Sequence, residues 1–159
     1  MSVQLLHELV LSGVDATRRL GAMLAESFPP QAVIGLNGTL GAGKTFLARS
    51  IAEAIGVPPS DATSPTFTLI QAYRNSGKTV YHIDAYRVAD VDEFLDLGVE
   101  ELMDEPGAWV IVEWANRMGE VFPEETLWID MEVVSVNERR VKLSGRPEFW
   151  TPLLKPITS

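Results

Sequence analysis

The segment GTLGAGKT, residues 38–45, constrains the fold of this chain more than any other stretch of its sequence. It matches the pattern G-x-x-x-x-G-K-[ST] at every fixed position. The apolar stretch AVIGLN precedes it, and the helix-forming stretch KTFLARSIAEAIG follows it. Glycines let the backbone turn several N–H groups toward one point, and the start of the next helix adds partial positive charge there. The sequence therefore predicts a strand, a phosphate-binding loop and a helix in succession.

Two side chains at the end of this loop have the chemistry that a nucleoside triphosphate requires. Lys44 can reach the β- and γ-phosphates as a mobile point charge, and the Thr45 hydroxyl can ligate Mg²⁺. A Gly-rich turn before a helix is the structural alternative, but the complete motif in this context favours nucleotide binding. The chain lacks the Asn-Lys-x-Asp pattern of many guanine-specific proteins, so we expect ATP.

Two carboxylates at predicted strand ends are candidates for the acid that such a loop needs. Glu113 closes WVIVE, where four apolar residues precede a carboxylate, as in the Walker B pattern. Asp84 closes VYHID, in which His82 and Asp84 share one face of the strand. A solvated surface group is the alternative for each, and the nearby phosphate-binding loop favours chemistry. Which acid contacts the metal directly stays open.

Four further side chains each have a structural and a functional interpretation. Thr66, in SPTFT, has two equally good interpretations. It is either a switch residue that senses γ-phosphate or Mg²⁺, or an ordinary position in a loop that leads into a strand. His82 is more often a packed strand residue than a ligand, and Arg87 more often a surface ion pair than an arginine finger. Trp114 fits either the core or an exposed binding face.

The order of apolar stretches and turn residues predicts an α/β architecture. We expect a three-layer, P-loop NTPase-like mixed sheet with helices on both faces and antiparallel edges. Residues 12–28 are predicted as the first helix, with Ser12 and Asp15 as a capping box. Residues 1–145 are predicted as a single domain, and the Pro-rich residues 146–159 as an irregular tail.

Composition excludes several classes of function. A net charge of −9 argues against a broad basic surface that binds nucleic acid directly, and the absence of cysteine excludes disulfides and thiolate metal sites. No apolar run approaches the roughly 18 residues that a membrane span needs. The N-terminal stretch lacks the basic start of a signal peptide, so we expect a cytoplasmic protein with no membrane contact.

Five motifs together resemble the TsaE family, also called YjeE, of small bacterial ATPases required for making threonylcarbamoyladenosine in tRNA. They are LNGTLGAGKT, SPTFTLI, YHIDAYR, LGVEEL and VEWANRMGEVFP, and the resemblance runs from about residue 12 to residue 141. It implies an accessory component that binds and hydrolyses ATP with Mg²⁺. It also implies that this activity sustains turnover of a complex of the TsaB and TsaD proteins, with tRNA reached only through that complex.

The resemblance also implies roles for individual residues. Thr45 and Glu113 are expected to hold Mg²⁺, and Asp84 and Thr66 to be needed for hydrolysis. The expected nucleotide contacts are Ser12, Gly38, Leu40, Gly41, Ala42, Gly43, Lys44, Thr45 and Arg140. Ser12 also fits a helix N-cap, and Arg140 a solvated strand residue. Thr39 and Ala115 depart from the Asp and Pro that are common in the family.

Two other function classes remain as alternatives. A small-molecule kinase shares the same loop, but it needs an acceptor pocket and usually a basic lid. The 13 lysines and arginines of this chain form no lid-like cluster after the loop. A nucleotide-binding scaffold without turnover is the second alternative.

Overall fold

The computed structural model describes residues 2–59, 61 and 69–158, which form one seven-stranded sheet with helices. The strands are β1 (Gln4–Ser12), β2 (Ala32–Gly38), β3 (Ile70–Asn75), β4 (Lys78–Asp84), β5 (Ala108–Glu113), β6 (Leu127–Val133) and β7 (Glu138–Gly145). The helices are α1 (Val14–Ser27), α2 (Lys44–Ala54), α3 (Val91–Asp96), α4 (Val99–Met103), α5 (Pro147–Leu153) and α6 (Lys155–Thr158), with a 3₁₀ segment at Ala115–Val121.

The strand order is β1-β7-β6-β2-β5-β4-β3, with β2 in the centre. Parallel pairing joins β6, β2, β5 and β4, whereas antiparallel pairs close both edges. The carboxyl ends of β2, β4 and β5 therefore lie at one edge of the sheet, where ligands bind in open α/β folds. This arrangement confirms the predicted mixed sheet with antiparallel edges.

Two hydrophobic clusters cover the two faces of the sheet. Alternate residues of β5 separate between them, with Trp109 and Ile111 in one cluster and Val110 and Val112 in the other. The first cluster includes residues of α1, α2, α5 and the α5–α6 junction, and the second includes residues of α3, α4 and the 3₁₀ segment. The prediction of helices on both faces is therefore confirmed.

The N-terminus differs from its prediction, because residues 4–12 form an edge strand that the sequence analysis missed. β1 pairs with β7 from Gln4 opposite Gly145 to Ser12 opposite Glu138. The helix begins only after Gly13, whose φ of 82° supplies the turn, and no side chain caps it. The predicted capping box at Ser12 is therefore wrong, since Ser12 is bound into the strand.

The predicted irregular tail over residues 146–159 is also wrong. Residues 147–153 form α5, and Trp150 is fully buried, with its Nε1–H donating to the Glu125 carbonyl at 2.7 Å. Its ring lies edge-on to that of Phe28, the residue that follows α1, with the ring centroids 6.0 Å apart. A Cβ on Gly145 would lie 2.8 Å from the Trp150 ring, so the glycine makes room for it. Pro147 at the start of a helix is compatible with helical geometry, although the Pro-rich composition suggested otherwise.

We expect Trp150→Ala to lower the free energy of unfolding by about 3–5 kcal/mol, because it removes a fully buried indole from the core. The neighbouring Phe149 is 37% exposed and provides a matched control. Phe149→Ala should lower it by no more than about 1.5 kcal/mol. Urea unfolding of both variants measures the difference, and equal losses would show that the C-terminal segment does not anchor through Trp150.

Candidate active site

The glycine loop joins the end of β2 to the start of α2 at the carboxyl edge of the sheet. Gly43 precedes α2 with a φ of 100°, a left-handed conformation that side chains disfavour. At Gly38 a Cβ would lie 2.4 Å from the Met131 carbonyl oxygen, so the close approach of β6 requires glycine there. Within the loop, Ala42 is buried and Leu40 is 72% exposed. The loop has the backbone geometry that its motif predicts.

Lys44 is held against the loop's own backbone. Its Nζ donates to the carbonyl oxygens of Gly38 at 2.6 Å and Thr39 at 3.0 Å, and lies 4.1 Å from the centroid of the Trp114 ring. Only 5% of the side chain's surface is exposed. Burial lowers the pKa of Lys44 below its usual range, and the negative charges of Glu113 and Asp84 partly oppose that shift. The ammonium group is thus available for an incoming anion at the loop.

Glu113 is the buried carboxylate beside this lysine. It closes β5, and its oxygens lie 2.9 Å and 2.8 Å from the Thr45 hydroxyl. The same carboxylate lies 2.6 Å from Nε2 of His82, which is completely buried. Glu113 is 4% exposed, so these hydrogen bonds take the place of water around its charge. The structure thus brings together Thr45 and Glu113, the two residues expected to bind a metal.

Asp84 lies beside Glu113 on the neighbouring parallel strand. The two residues are Cα partners in the register of β4 and β5. Asp84 is only half-buried, and its Oδ1 accepts a hydrogen bond from the Tyr86 backbone N–H at 2.9 Å. The two acids differ in environment, because Glu113 is buried and hydrogen-bonded to two side chains, whereas Asp84 is half-buried and accepts from a backbone N–H.

Trp114 and Tyr86 form an aromatic pair at the rim of the site. Their ring centroids are 4.9 Å apart, and half of Tyr86 is exposed. Trp114 adopts a left-handed backbone conformation with a φ of 62°, which is rare for a bulky side chain. The backbone N–H of Trp114 donates to the Leu36 carbonyl at 2.8 Å. The Arg117 side chain donates to the carbonyls of Ala85 and Tyr86. Strained backbone of this kind is characteristic of functional sites.

Two arginines near the end of the chain lie on opposite faces of the sheet. Arg139 donates to the Gly41 carbonyl of the loop at 3.3 Å and to carbonyls of the β6–β7 turn. Arg140 points to the other face and pairs with Glu132 and Glu8. Of these two arginines, Arg139 therefore contacts the loop. The sequence analysis missed it because adjacent residues of a strand point to opposite faces of the sheet. A nucleotide contact by Arg140 stays a prediction.

Arg140 lines an open cleft of about 650 Å³ on that other face. Gly38 and Thr39 of the loop line the cleft, and Trp114, Asp130 and Lys142 also border it. Any nucleotide contact by Arg140 would have to be made from this cleft.

Ser12, Thr66 and His82 are the other residues that the sequence analysis singled out. Ser12 is exposed at the end of β1, where it pairs with Glu138, next to Arg139. Thr66 lies outside the described residues, and its predicted role stays a prediction. His82 fits its structural interpretation as a packed strand residue, but its contact with Glu113 also places it in the site.

The side chains present suit a magnesium–nucleotide complex better than a metal site made of protein alone. Within residues 2–59, 61 and 69–158, no group of three or more His, Cys, Asp or Glu side chains could hold a metal ion. Mg²⁺ prefers oxygen ligands, and in nucleotide sites it uses one or two protein groups together with phosphates and water. The Thr45 hydroxyl and the Glu113 carboxylate are such groups.

The lowered pKa of Lys44 predicts a pH dependence of stability. Folded Lys44 loses its proton at a lower pH than unfolded Lys44, whose pKa is the ordinary 10.5. Between these two pKa values the unfolded chain binds more protons, so the free energy of unfolding rises with pH. Lys44→Met removes this contribution. Burial also lowers the pKa of Lys78, but Lys78 is present in both proteins and does not contribute to the difference between them. Urea unfolding at several pH values up to 10.5 should show a steeper rise for the wild type. Equal slopes would contradict the shift.

None of the helices in the described ranges has the length and apolar character needed to cross a bilayer. The predicted cytoplasmic location stays a prediction.

Comparison with known proteins identifies the family of this chain. The family described as "Threonylcarbamoyl adenosine biosynthesis protein TsaE" matches residues 11–141. Proteins named tRNA threonylcarbamoyladenosine biosynthesis protein TsaE match at 35% identity, over 82% of this chain and 80% of the relative in Bacillus subtilis, and over 89% and 98% in Aquifex aeolicus. The crystal structure of Bacillus subtilis YdiB superposes with a TM-score of 0.76 at 26% identity, covering 99% of this chain and 97% of that one. This chain therefore belongs to the TsaE family of P-loop proteins of tRNA threonylcarbamoyladenosine biosynthesis.

Proposed function

We propose that this chain binds and slowly hydrolyses ATP with Mg²⁺ as an accessory component of the tRNA threonylcarbamoyladenosine machinery, where it sustains turnover of a TsaB–TsaD complex. One observation carries the proposal, namely the cluster of Lys44, Thr45 and Glu113 at the end of a complete phosphate-binding loop. Membership of the TsaE family supports the pathway.

The loop and Lys44 would bind the phosphates of ATP. Backbone N–H groups of residues 40–45 lie at the start of α2, where the helix dipole favours an anion. The Lys44 ammonium group now donates to the carbonyls of Gly38 and Thr39, and it would exchange part of these contacts for phosphate oxygens. Its low exposure strengthens that attraction, since little water screens it.

Thr45 and Glu113 would hold the metal, and Asp84 would position water for hydrolysis. Bound Mg²⁺ supplies positive charge that stabilises the negative charge on the transferring phosphoryl group. Asp84 suits a role toward water because its carboxylate is half-buried at the opening of the site, beside Glu113. Thr66 is proposed to sense the γ-phosphate.

A partner surface would complete the site. Tyr86, which is half exposed, and the half-buried Trp114 form the aromatic rim. Five exposed acidic residues lie on α3 and α4, namely Asp92, Glu93, Asp96, Glu100 and Glu101. Bound ATP would order the segments around the loop that the partner contacts. A net charge of −9 favours contact with tRNA only through the complex.

A small-molecule kinase is the alternative function of a different class, because it uses the same phosphate chemistry. A coupled assay with candidate acceptors distinguishes the two. Phosphate on any acceptor would favour a kinase, whereas inorganic phosphate as the product favours the ATPase. Loss of turnover in Asp84→Asn with ATP binding retained separates an ATPase from a scaffold without turnover.

We expect Glu113→Gln to reduce the gain in ATP affinity that Mg²⁺ provides by at least about tenfold. The amide keeps the shape of the side chain but removes the charge that the metal needs. Binding of ATP in the presence of a chelator should change little. Asp84→Asn is the matched control on the adjacent strand, and it should keep the metal-dependent affinity while losing turnover. Calorimetry with and without Mg²⁺ measures both, and the reverse pattern would make Asp84 the direct ligand.

We expect ATP turnover to be slow for the isolated chain and faster with the TsaB–TsaD pair, since a partner that contacts the rim of Tyr86 and Trp114 can hold the residues around the site in their reactive arrangement. Association should be stronger in ATP than in ADP, and tRNA alone should bind weakly. Turnover assays and pull-downs in both nucleotides test this, with Lys44→Ala as the inactive control. Equal turnover with and without the pair, together with association that ignores the nucleotide, would refute the proposal.

A further inference from the structure

His82 is a buried polar side chain to which neither the fold nor the proposed chemistry has given a role. We infer that His82 is a positioning residue that donates its Nε2–H to Glu113 and fixes the carboxylate for Mg²⁺ binding together with Thr45. The metal-binding part of this inference rests on the proposed function. The hydrogen bond itself belongs to the nucleotide-free protein.

The donor in this contact follows from the partners of Glu113. The Thr45 hydroxyl lies within 2.9 Å of both carboxylate oxygens, but it has a single proton to donate. Nε2 of His82 lies 2.6 Å from Oε2, and an ionised carboxylate can only accept. The proton between them therefore belongs to the imidazole. Oε2 accepts from His82, which leaves Oε1 with the Thr45 hydroxyl as its partner among the described residues.

The His82 ring is held by packing. It is fully buried on β4, with its centroid 6.4 Å from that of Tyr73, which is 3% exposed. Nδ1 is buried and has no hydrogen-bond partner among the described residues. The one directional contact of the ring is thus the one to Glu113, and the surrounding core fixes its orientation. Such a ring can hold the carboxylate in one rotamer before any ligand arrives.

A fixed carboxylate matters because Mg²⁺ demands near-ideal octahedral geometry. Residues that hydrogen-bond to metal ligands typically change metal affinity by 10–100-fold when they are replaced, as a general observation. Without His82, the charge of Glu113 would remain buried with Thr45 as its hydrogen-bonding partner. The Glu113 side chain would then be free to turn toward water at the opening of the site.

Three variants separate positioning from packing. His82→Gln keeps an N–H donor at nearly the same distance along the side chain, and His82→Leu removes the donor. Val80→Ala is the control for a packing defect, because Val80 is fully buried two residues earlier on the same face of β4. It has no part in the site.

The first measurement needs no nucleotide. Nitrogen-detected NMR of the imidazole in the free protein should show a proton on Nε2 and none on Nδ1, with the Nε2 proton slow to exchange. In Glu113→Gln that proton should shift and exchange faster. A proton on Nδ1 with Nε2 bare would overturn the inference, whether or not the chain binds ATP.

The second measurement is the ratio of ATP affinities with Mg²⁺ and with a chelator. His82→Leu should reduce this ratio by about 10–100-fold and leave affinity in the chelator nearly unchanged. His82→Gln should recover most of it, and Val80→Ala should keep it despite a comparable loss of thermal stability.

A ratio in His82→Leu equal to that in Val80→Ala would overturn the inference. If His82→Leu does not fold, the test uses His82→Gln, which keeps the N–H donor. An affinity ratio in His82→Gln as low as the ratio in Glu113→Gln would then also overturn the inference. Absence of ATP binding by the wild type would instead refute the proposed function, and the NMR result would still decide the hydrogen bond.

Discussion

The carboxylate of Glu113 is the point at which the fold and the candidate chemistry are joined. It closes β5, receives the hydroxyl of Thr45 from the first turn of α2, and contacts His82 of β4. Burying a lone carboxylate costs several kcal/mol, and these hydrogen bonds together with the positive charge of Lys44 offset that cost. The helix start and the two strands are thus held in register by one acidic group.

Lys44 shows how side-chain contacts hold the loop. Its ammonium group donates to the carbonyls of Gly38 and Thr39, and it lies over the Trp114 ring. The same group has a lowered pKa because burial removes water from it. An anionic phosphate would therefore relieve a charge that is poorly solvated. In the proposed function, binding of the phosphates and relief of this poor solvation would favour the same rearrangement of Lys44.

Local pattern predicted the centre of this structure well, because the loop, its flanking strand and helix, and the two strand-end acids each depend on short stretches of sequence. The parts that failed depend on distant partners. β1 pairs with β7, a strand from the other end of the chain, and no local pattern in residues 4–12 records that pairing. The tail folds back because Trp150 fills space beside Gly145 and Phe28. The choice between Arg139 and Arg140 depends on which face of β7 each occupies, and no motif near them records that register.

Thr39 illustrates how the structure separates two effects of one substitution. The resemblance to the TsaE family leads us to expect Asp at this position, and Thr lacks the negative charge that Asp would place beside the loop. The contact that Thr39 makes with Lys44 uses its backbone carbonyl, which any residue provides. Its exposed side chain borders the cleft on the other sheet face, together with Asp130 and Glu132. Thr at this position therefore keeps the contact that holds Lys44, and it leaves the cleft less acidic than Asp would. The difference in charge lies in the cleft and does not reach the backbone contact with Lys44.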